Sequence, residues 1–481
     1  MMNSDLINIY DKIVPEESPY FTEDEAVEFI ENCLYIMDEF MNQEPFIICE
    51  QDFDDIFNDN VDALIKLLCE DDMLFTDDAE EEMYDLITYA KHQFFTNIMP
   101  PRQNCLAEPI KKPVDQIQAT IKRLDECFQP KQRTPEWYEY RYNLITASDA
   151  YKAFESQSVQ NSLIYNKCKP LATKAESTTP ESNDEDVSSS IPKPVVQVVN
   201  TNTTLHWGQK YEPLSVLIYE KFYDTKIGEY GCIQHEAYPF IGASPDGLNI
   251  KQDSPKFGRL LEIKNIVNRE ISGIPKKEYW IQMQLQMEVC DIDECDFLET
   301  KFTEYADYSA YKEDNYLRPD GSVDTTRSAD DKLKGVIIHF HGTDGSPLYV
   351  YKPLDIIADD AIDEWTNQTI ATYEKGTSHI FMKFIYWKMD VWSCVLVLRN
   401  RQWFKNAIPV LSNLWDTIKV ERISGCEHRA PNRRTKIDKI DMSSTEKSSG
   451  GCLLLPPKDA KPKDAKPKDA KMNVIKMDAS V

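Results

Sequence analysis

The stretch Gly242–Gln286 constrains this chain most, because it encodes a turn, a strand and a helix with polar side chains at fixed positions. The Pro-Asp-Gly triplet at 245–247 is strong turn chemistry. Glu262, Ile263 and Lys264 follow on a predicted strand. Side chains alternate faces along a strand, so Glu262 and Lys264 should share one face while Ile263 points into the core.

A hairpin built on this stretch would bring two acidic side chains together. Residues 248–250 can run antiparallel to 260–266 around the loop 253–258, which places Asp246 beside Glu262. Carboxylate oxygens suit Mg²⁺ and Mn²⁺, and a nearby lysine can orient or help deprotonate a water nucleophile. Pro-Asp-Gly alone is more typical of a loop, and Glu-x-Lys alone of a solvated strand face. In this order, ahead of a glutamine-bearing helix, they favour metal-dependent phosphodiester chemistry.

The acidic charge of the chain is concentrated at its start. The net charge is −28, and residues 1–100 hold 27 Asp and Glu against 3 Lys and Arg, a net of −24. The other 381 residues are nearly balanced at −4. DNA binding depends on local positive charge, so the whole-chain sum does not exclude a DNA enzyme. A capping box at Thr22–Glu25 begins the first of the acidic helices. Their acidic surface is interpreted as a solvated face, and the functional alternative is a surface that docks a partner or mimics DNA.

Cysteine usage and hydropathy bear on the compartment. The twelve cysteines form no CxxC pair, and the N-terminus has no apolar run of the signal-peptide type. We therefore expect free thiols, no structural zinc and a reducing intracellular compartment. The longest apolar stretch, Val391–Leu398, is too short to span a bilayer, so no membrane partner is expected.

Further patterns predict the supporting elements. Helices are expected at 61–69, 78–98, 276–289, 354–373 and 401–418, a strand at 295–302, and a hairpin of 336–341 with 348–352. A further helix should begin with Thr134 as N-cap and Pro135 as its first residue and carry Trp137 and Arg141, and another should begin at Thr146. On the helix 276–289, Gln282 and Gln286 lie one turn apart, and Gln284 lies on another face. His339 and His341 share a strand face; without a second metal-binding pair, they are interpreted as structural.

Five motifs occur in a fixed order along the chain. They are Arg-Thr-Pro-Glu-Trp at 133–137 leading to Arg141 and Thr-Ala-Ser at 146–148, Trp-Gly-Gln-Lys-Tyr-Glu at 207–212, Gly-Ala-Ser-Pro-Asp-Gly at 242–247, Leu-Glu-Ile-Lys at 261–264, and Tyr-Trp-Ile-Gln-Met-Gln at 279–284. Together they resemble the lambda-exonuclease or YqaJ-like viral recombinase family of the PD-(D/E)xK nuclease superfamily, over roughly residues 130–420. The resemblance implies an α/β (α+β) fold with a restriction-endonuclease-like core, in which helices flank a central mixed sheet. An acidic all-α N-terminal domain is expected beside that core.

The resemblance also assigns roles to individual residues. The implied catalytic residues are Asp246, Glu262, Lys264 and Gln282. The implied ligands of Mg²⁺ (or Mn²⁺) are Asp246, Glu262, the carbonyl of Ile263, and Glu212. The implied site for the terminal 5′-phosphate of DNA consists of Arg141, Ser148 and Ser244. For Ser148, simple helix capping is the alternative interpretation.

Four parts are predicted along the chain. Residues 1–101 form the acidic helical domain and 102–129 a connector with a helix. Residues 130–421 form the YqaJ-like exonuclease domain, in which 170–204 is a disordered polar insertion. Residues 422–481 form a flexible tail with three Pro-Lys-Asp-Ala-Lys repeats.

The function implied is a metal-dependent exonuclease that digests linear double-stranded DNA ends 5′ to 3′ and leaves 3′ single strands for recombination. A single-strand annealing protein is an implied partner, and family members can form ring-shaped trimers. A viral origin would place the protein in the nucleus or cytoplasm of an infected cell. Two alternatives stay open. One is an alkaline-nuclease-like enzyme acting on branched DNA or RNA, and the other is a non-enzymatic interaction protein acting through its acidic N-terminal domain.

Overall fold

A computed structural model describes residues 20–69, 77–102, 112–130, 134–171, 200–201, 203–343, 345–376 and 379–431. The described residues up to Pro431 belong to one compact unit. Arg133, residues 172–199 of the predicted insertion and the tail from 432 onward, with its repeats, lie outside the described residues.

Three amphipathic helices open the described chain: α1 (Glu23–Gln43), α2 (Phe53–Cys69) and α3 (Asp77–Asn97). The capping box at the start of α1 is confirmed, since Thr22 N–H donates to Glu25 Oε2 at 2.9 Å and Glu25 N–H donates back to Thr22 Oγ1 at 3.4 Å. Helix α2 begins eight residues before the predicted start at 61, because Phe53 and Phe57 extend its buried apolar stripe toward the N-terminus.

The N-terminal helices share a hydrophobic core with the rest of the chain. Buried residues of α1 to α3 and buried residues beyond 140 belong to a single cluster. At this junction the ring of Phe46 lies 4.9 Å from that of Phe154. The ammonium of Lys277 donates to Glu50 Oε1 at 2.7 Å and lies 3.2 Å from Glu155 Oε1. The helices are thus packed directly against the part of the chain that carries the predicted site.

A mixed seven-stranded sheet forms the centre of the fold. Its strands, in spatial order, are β11 (Pro347–Tyr351), β10 (Lys334–Gly342), β12 (His379–Leu398), β7 (Glu294–Glu304), β6 (Leu260–Asn265), β5 (Gly247–Asn249) and β2 (Ile227–Gly228). Only β6 and β7 pair in parallel; the other neighbours are antiparallel. Helices flank this sheet, which confirms the predicted fold class.

The smaller elements complete the described chain. Strands β1 (Ile145–Thr146), β3 (Ile233–Gln234) and β4 (Ile241–Ala243) form a second sheet, and β8 (Tyr316–Leu317) pairs with β9 (Val323–Asp324). The remaining helices are α4 (Val114–Glu126), α5 (Pro135–Tyr142), α6 (Ala147–Ala150), α7 (Gln157–Cys168), α8 (Thr204–Phe222), α9 (Lys277–Cys290), α10 (Tyr308–Glu313), α11 (Asp359–Gly376) and α12 (Arg401–Ser424). Within these described ranges, no helix is long and apolar enough to cross a bilayer.

Strand β12 is the element that the sequence patterns did not predict. It is 20 residues long and pairs with β10 through its first half, His379–Lys388, and with β7 through its second half, Trp387–Leu398. Most of its side chains are only partly buried, so it shows no clean alternation of apolar and polar residues. Pairing with two strands distant in sequence, rather than local propensity, determines this strand.

Helix α9 lies in the core and carries part of the predicted site. Every residue from Trp280 to Cys290 except Gln282 is buried, including the polar Gln284, Gln286 and Glu288. Polar side chains buried on a helix need hydrogen-bond partners. For Gln286 that partner is Glu262 on β6, and this contact belongs to the candidate site.

Candidate active site

The predicted hairpin brings the turn aspartate to the strand that carries Glu-x-Lys. Strands β5 and β6 pair antiparallel with Gly247 opposite Leu261. Asp246 directly precedes β5, and its Oδ2 accepts a 2.7 Å hydrogen bond from the backbone N–H of Ile263. A Cβ atom at Gly247 would lie 2.2 Å from Ile227 Cγ2, so a larger residue would push β2 away. The glycine therefore keeps this turn close to the sheet.

Glu262 is the centre of the cluster. Its carboxylate is fully buried and accepts hydrogen bonds from Lys264, from Gln282 Nε2 (2.8 Å to Oε1) and from Gln286 Nε2 (2.7 Å to Oε2). Ile263, between them on β6, is 5% exposed and packs into the core, as the alternation predicts. The structure thus places Glu262, Lys264 and Gln282 in direct contact, with Asp246 joined to the same strand.

Gln284 plays a different part from its neighbours on α9. Its Nε2 donates to the carbonyl of Leu398 at 2.9 Å, and its Oε1 accepts from the N–H of Asn400 at 2.7 Å. Gln284 therefore joins α9 to the end of β12, on the face away from Glu262. This confirms the prediction that Gln282 and Gln286 share one face and Gln284 another.

The charges at the site are strongly coupled. Burial raises the pKa of Asp246 well above its usual range, and the neighbouring Glu262 and Glu212 raise it further, against the opposing effects of Lys264 and the Ile263 N–H. Burial lowers the pKa of Lys264, but the attraction of Glu262 and Asp246 outweighs it and raises the pKa of the ammonium overall. Lys264 is therefore a permanent cation at neutral pH.

Glu212 joins the site from helix α8. Together with Asp246 it lines a cleft of about 640 Å³, whose walls also include Glu220, Glu229 and a single lysine, Lys226. An excess of carboxylates over cations is unfavourable for binding a polyanion such as DNA unless other cations enter the cleft.

The donor set of this cleft suits a hard divalent cation. Within the described ranges, no group of three or more His, Cys, Asp or Glu side chains is close enough to hold a metal ion. The charge distribution nevertheless fits a metal, because Glu262 and Glu212 disfavour the ionised form of Asp246, and a bound cation would reverse that effect. Oxygen donors of this kind suit Mg²⁺ or Mn²⁺.

The residues predicted to bind a terminal phosphate lie around the small sheet. Helix α5 begins with Thr134 as N-cap and Pro135 at its first turn, as predicted. Arg141, at its end, points Nη2 toward Thr146 Oγ1 and Ser148 Oγ, at 3.4 Å from each. The guanidinium lies 4.5 Å from the centroid of the Trp137 ring. Arg141 and Ser148 are thus brought together, although the helix predicted to start at 146 is only one turn long.

Ser244 lies in the same neighbourhood. Strands β1 and β4 are parallel with Thr146 opposite Gly242, so Ser148 and Ser244 both follow the same end of this pair. Burial raises the pKa of the Cys232 thiol, while Arg141 and Ser244 lower it, which identifies Cys232 as a neighbour of both.

Several residues of the site were missed by the sequence analysis. Gln286 was placed on the right helix face but given no role, although its spacing of four residues from Gln282 is a usable signal. Tyr279 lies under two cations, 5.0 Å from Lys264 Nζ and 5.6 Å from the guanidinium carbon of Arg269. Arg269 also pairs with the buried Glu299. The positions of Tyr279, Arg269 and Glu299 in the sequence do not indicate that these side chains are in contact.

Comparison with known proteins shows which family the site region resembles. Residues 136–293 match the YqaJ-like viral recombinase domain. The chain is similar to an uncharacterized protein of Acanthamoeba polyphaga mimivirus, at 31% identity over 243 residues, which cover 45% of this chain and 44% of the relative. It thus spans less than half the length of that relative.

Two solved structures resemble the chain more distantly. They are crystal structures of the alkaline exonuclease LHK-Exo from Laribacter hongkongensis and of the same enzyme in complex with dAMP, at 16% and 17% identity, each with a TM-score of 0.31 and covering 60% of this chain and 94% of theirs.

The matched segment holds Arg141, Glu212, Asp246, Lys264 and the face of α9 that carries Gln282. Residues 136–293 of this chain therefore resemble the YqaJ-like viral recombinase domain, which is the family that the ordered sequence motifs indicate.

Proposed function

We propose that this protein is a metal-dependent DNA exonuclease that degrades linear duplex ends from 5′ to 3′. The observation that carries the proposal is the convergence of Asp246, Glu262, Lys264 and Gln282 beside an open cleft, within a segment that matches the YqaJ-like domain.

The fixed positive charge of Lys264 limits its role. Its ammonium, paired with Glu262, orients the attacking water and offsets negative charge that develops on the phosphate. Gln282 holds Glu262 in place through the 2.8 Å hydrogen bond. A divalent cation would be held by Asp246, Glu262, Glu212 and the Ile263 carbonyl, and would supply Lewis-acid stabilisation of the phosphate.

The phosphate site supports the proposed direction of digestion. Arg141 offers a guanidinium beside two hydroxyl groups, Thr146 and Ser148, and this is a favourable set of donors for a terminal 5′-phosphate. With the phosphate held there, a mononucleotide would be released and the opposite strand left as a 3′ single strand. A single-strand annealing protein and a ring-shaped trimer are the partners that this proposal implies, in the nucleus or cytoplasm of an infected cell.

The decisive experiment compares DNA substrates that differ only in their ends. The purified chain should degrade 5′-phosphorylated linear duplex in Mg²⁺ or Mn²⁺, should stop in EDTA, and should leave closed circular duplex intact. Degradation of the circle, of branched DNA or of RNA at a similar rate would contradict end-dependent digestion and favour the alkaline-nuclease alternative. No degradation of any substrate would leave the interaction protein as the better description.

Matched variants connect that activity to the site. Asp246→Asn and Lys264→Met should each lower the rate by about 10³-fold, as for loss of a central electrostatic group. Asp253→Asn, which alters an exposed carboxylate in the loop between β5 and β6, should leave the rate unchanged. Equal rates in all three variants would place the chemistry outside this cluster.

A further inference from the structure

A second cavity, of about 250 Å³, lies along the first turns of helix α8. Thr203, Trp207 and Lys210 line it from the helix side. The opposite wall belongs to the strands β10, β11 and β12 of the central sheet. The same helix carries Glu212, five residues beyond Trp207, into the catalytic cleft. At 1.5 Å per residue, the two positions are separated by about 7.5 Å along the helix.

The sheet wall is a row of three cross-strand neighbours. His339 on β10 pairs with Tyr349 on β11 and with Lys383 on β12. The rings of His339 and Tyr349 are stacked, with centroids 4.7 Å apart and planes inclined by 27°. Lys383 is exposed and has no carboxylate within ion-pair distance in the part of the chain that the structure describes.

His339 is buried without the hydrogen bonds that such a group requires. It is 5% exposed, and no described residue forms a hydrogen bond with either ring nitrogen. Buried polar groups are normally paired, and an unpaired one is unfavourable. Burial, with the nearby charges of His341 and Lys383, lowers the pKa of His339 to about 4, so the ring is neutral and offers one donor and one acceptor.

The helix wall supplies an aromatic ring and positive potential. Trp207 is half-buried, and its indole N–H has no hydrogen-bond partner among the described residues. Lys210 lies 4.5 Å from the Trp207 ring centroid and is paired with Glu304, so the uncompensated cation of this cavity is Lys383. Thr203 caps the start of α8, where the helix dipole is positive.

We propose that this cavity binds one nucleotide, with the base against Trp207, its hydrogen-bonding edge at His339, and the phosphate near Lys383 and the start of α8. The inference rests on the proposed exonuclease, whose reaction generates both mononucleotides and single-stranded DNA. A simple anion would use Lys383 and the helix start alone. It would leave the indole N–H of Trp207 and the ring nitrogens of His339 without hydrogen-bond partners, whereas a nucleotide offers a base to both.

The test measures binding without cleavage. In EDTA, the full-length chain is titrated with dTMP, 2-deoxyribose 5-phosphate and inorganic phosphate by calorimetry, and with a fluorescein-labelled oligothymidylate by anisotropy. We expect dTMP to bind at least about tenfold more tightly than deoxyribose 5-phosphate, the gain expected from stacking one base. Lys383→Glu and His339→Phe should each weaken dTMP binding by about tenfold. Lys405→Glu, a charge reversal at an exposed lysine on α12, should not.

The outcomes separate the sources of the nucleotide. If the two variants weaken both dTMP and oligothymidylate, the cavity accepts released product as well as a strand. If they weaken oligothymidylate alone, it accepts a nucleotide only within a strand; either result supports the proposal. Equal affinities for dTMP and deoxyribose 5-phosphate would overturn the proposal. It would also be overturned if Lys383→Glu and His339→Phe bound dTMP and oligothymidylate with the same affinities as Lys405→Glu. Because no cleavage is required, this result is independent of whether the chain proves to be an exonuclease.

Discussion

The side-chain amide of Gln286 donates a 2.7 Å hydrogen bond to Oε2 of Glu262. One turn earlier on the same helix, Gln282 binds the other oxygen of this carboxylate at 2.8 Å. Glu262 is therefore held from two sides by one rigid element, and its orientation toward Asp246 does not depend on solvent. Groups that orient a metal-binding or catalytic carboxylate are often nearly as important as the carboxylate itself.

Substitution of Gln286 tests this positioning. Gln286→Leu keeps the size of the side chain but leaves Oε2 of Glu262 without its donor, so we expect kcat on linear duplex to fall by about 10- to 100-fold. Steady-state kinetics at saturating Mg²⁺ would measure the change. Gln286→Met cannot donate either and should not restore the rate. A Gln286→Leu enzyme with wild-type kcat would show that Gln282 alone is sufficient.

Gln284 should behave differently, although it belongs to the same Gln-x-Gln motif. Gln284→Leu removes hydrogen bonds to the Leu398 carbonyl and the Asn400 N–H, and both backbone groups become unsatisfied. The free energy of unfolding should fall by about 1–3 kcal/mol, measured by urea denaturation. The rate at 25 °C should change little while the variant remains folded. A large loss of rate without loss of stability would assign Gln284 to the chemistry.

Arg141 should determine the preference for 5′-phosphorylated ends. Arg141→Gln removes the cation beside Thr146 and Ser148, so we expect KM for 5′-phosphorylated duplex to rise about tenfold or more. KM for duplex with a 5′-hydroxyl should stay the same, because that end makes no contact with the guanidinium. Parallel assays on the two substrates measure this difference. An equal rise on both would indicate a general effect on DNA binding.

The buried imidazole of His339 should make stability depend on pH. Its pKa is lowered to about 4, by burial first and then by His341, Lys383, His206 and Lys210, so the unfolded chain binds this proton more readily than the folded one. Its contribution is thus fully present above about pH 6.5 and is lost as the pH falls toward 4, by about 1–3 kcal/mol. His339→Phe should remove that part of the acid sensitivity. Urea denaturation of both proteins between pH 4 and 7 measures the difference, and parallel curves would contradict it.

The parts of the site that could be predicted from sequence are those fixed by local rules. The turn at 245–247, the alternation of Glu262, Ile263 and Lys264 and the helical spacing of Gln282 and Gln286 are all short-range patterns. Their relation to one another followed from a single hairpin and one neighbouring helix. Ser148 and Arg141 are brought together in the same way, since only a short turn separates them.

The features that could not be predicted depend on contacts between distant segments. Strand β12 takes its length from pairing first with β10 and then with β7, although its own residues are rich in the β-branched and aromatic types that favour strands. Arg269 reaches Tyr279 and Glu299 only because the loop after β6 folds back over the start of α9. The cavity beside Trp207 likewise combines a helix with three strands from the second half of the chain. The hydrophobic periodicity of a sequence does not indicate which distant segments lie next to each other in the fold.

The contacts of the acidic helices bear on how this protein can be shortened. Lys277, the first residue of α9, forms an ion pair with Glu50. The ring of Phe154 contacts the ring of Phe46 and also lies 5.7 Å from the ring of Trp403. A fragment lacking the first hundred residues would therefore expose apolar residues that are buried in the whole chain. The helix that holds Gln282 would also lose a stabilising contact at its first residue. Loss of nuclease activity in such a fragment would result from destabilisation of the fold. It would not show whether the first hundred residues contact DNA.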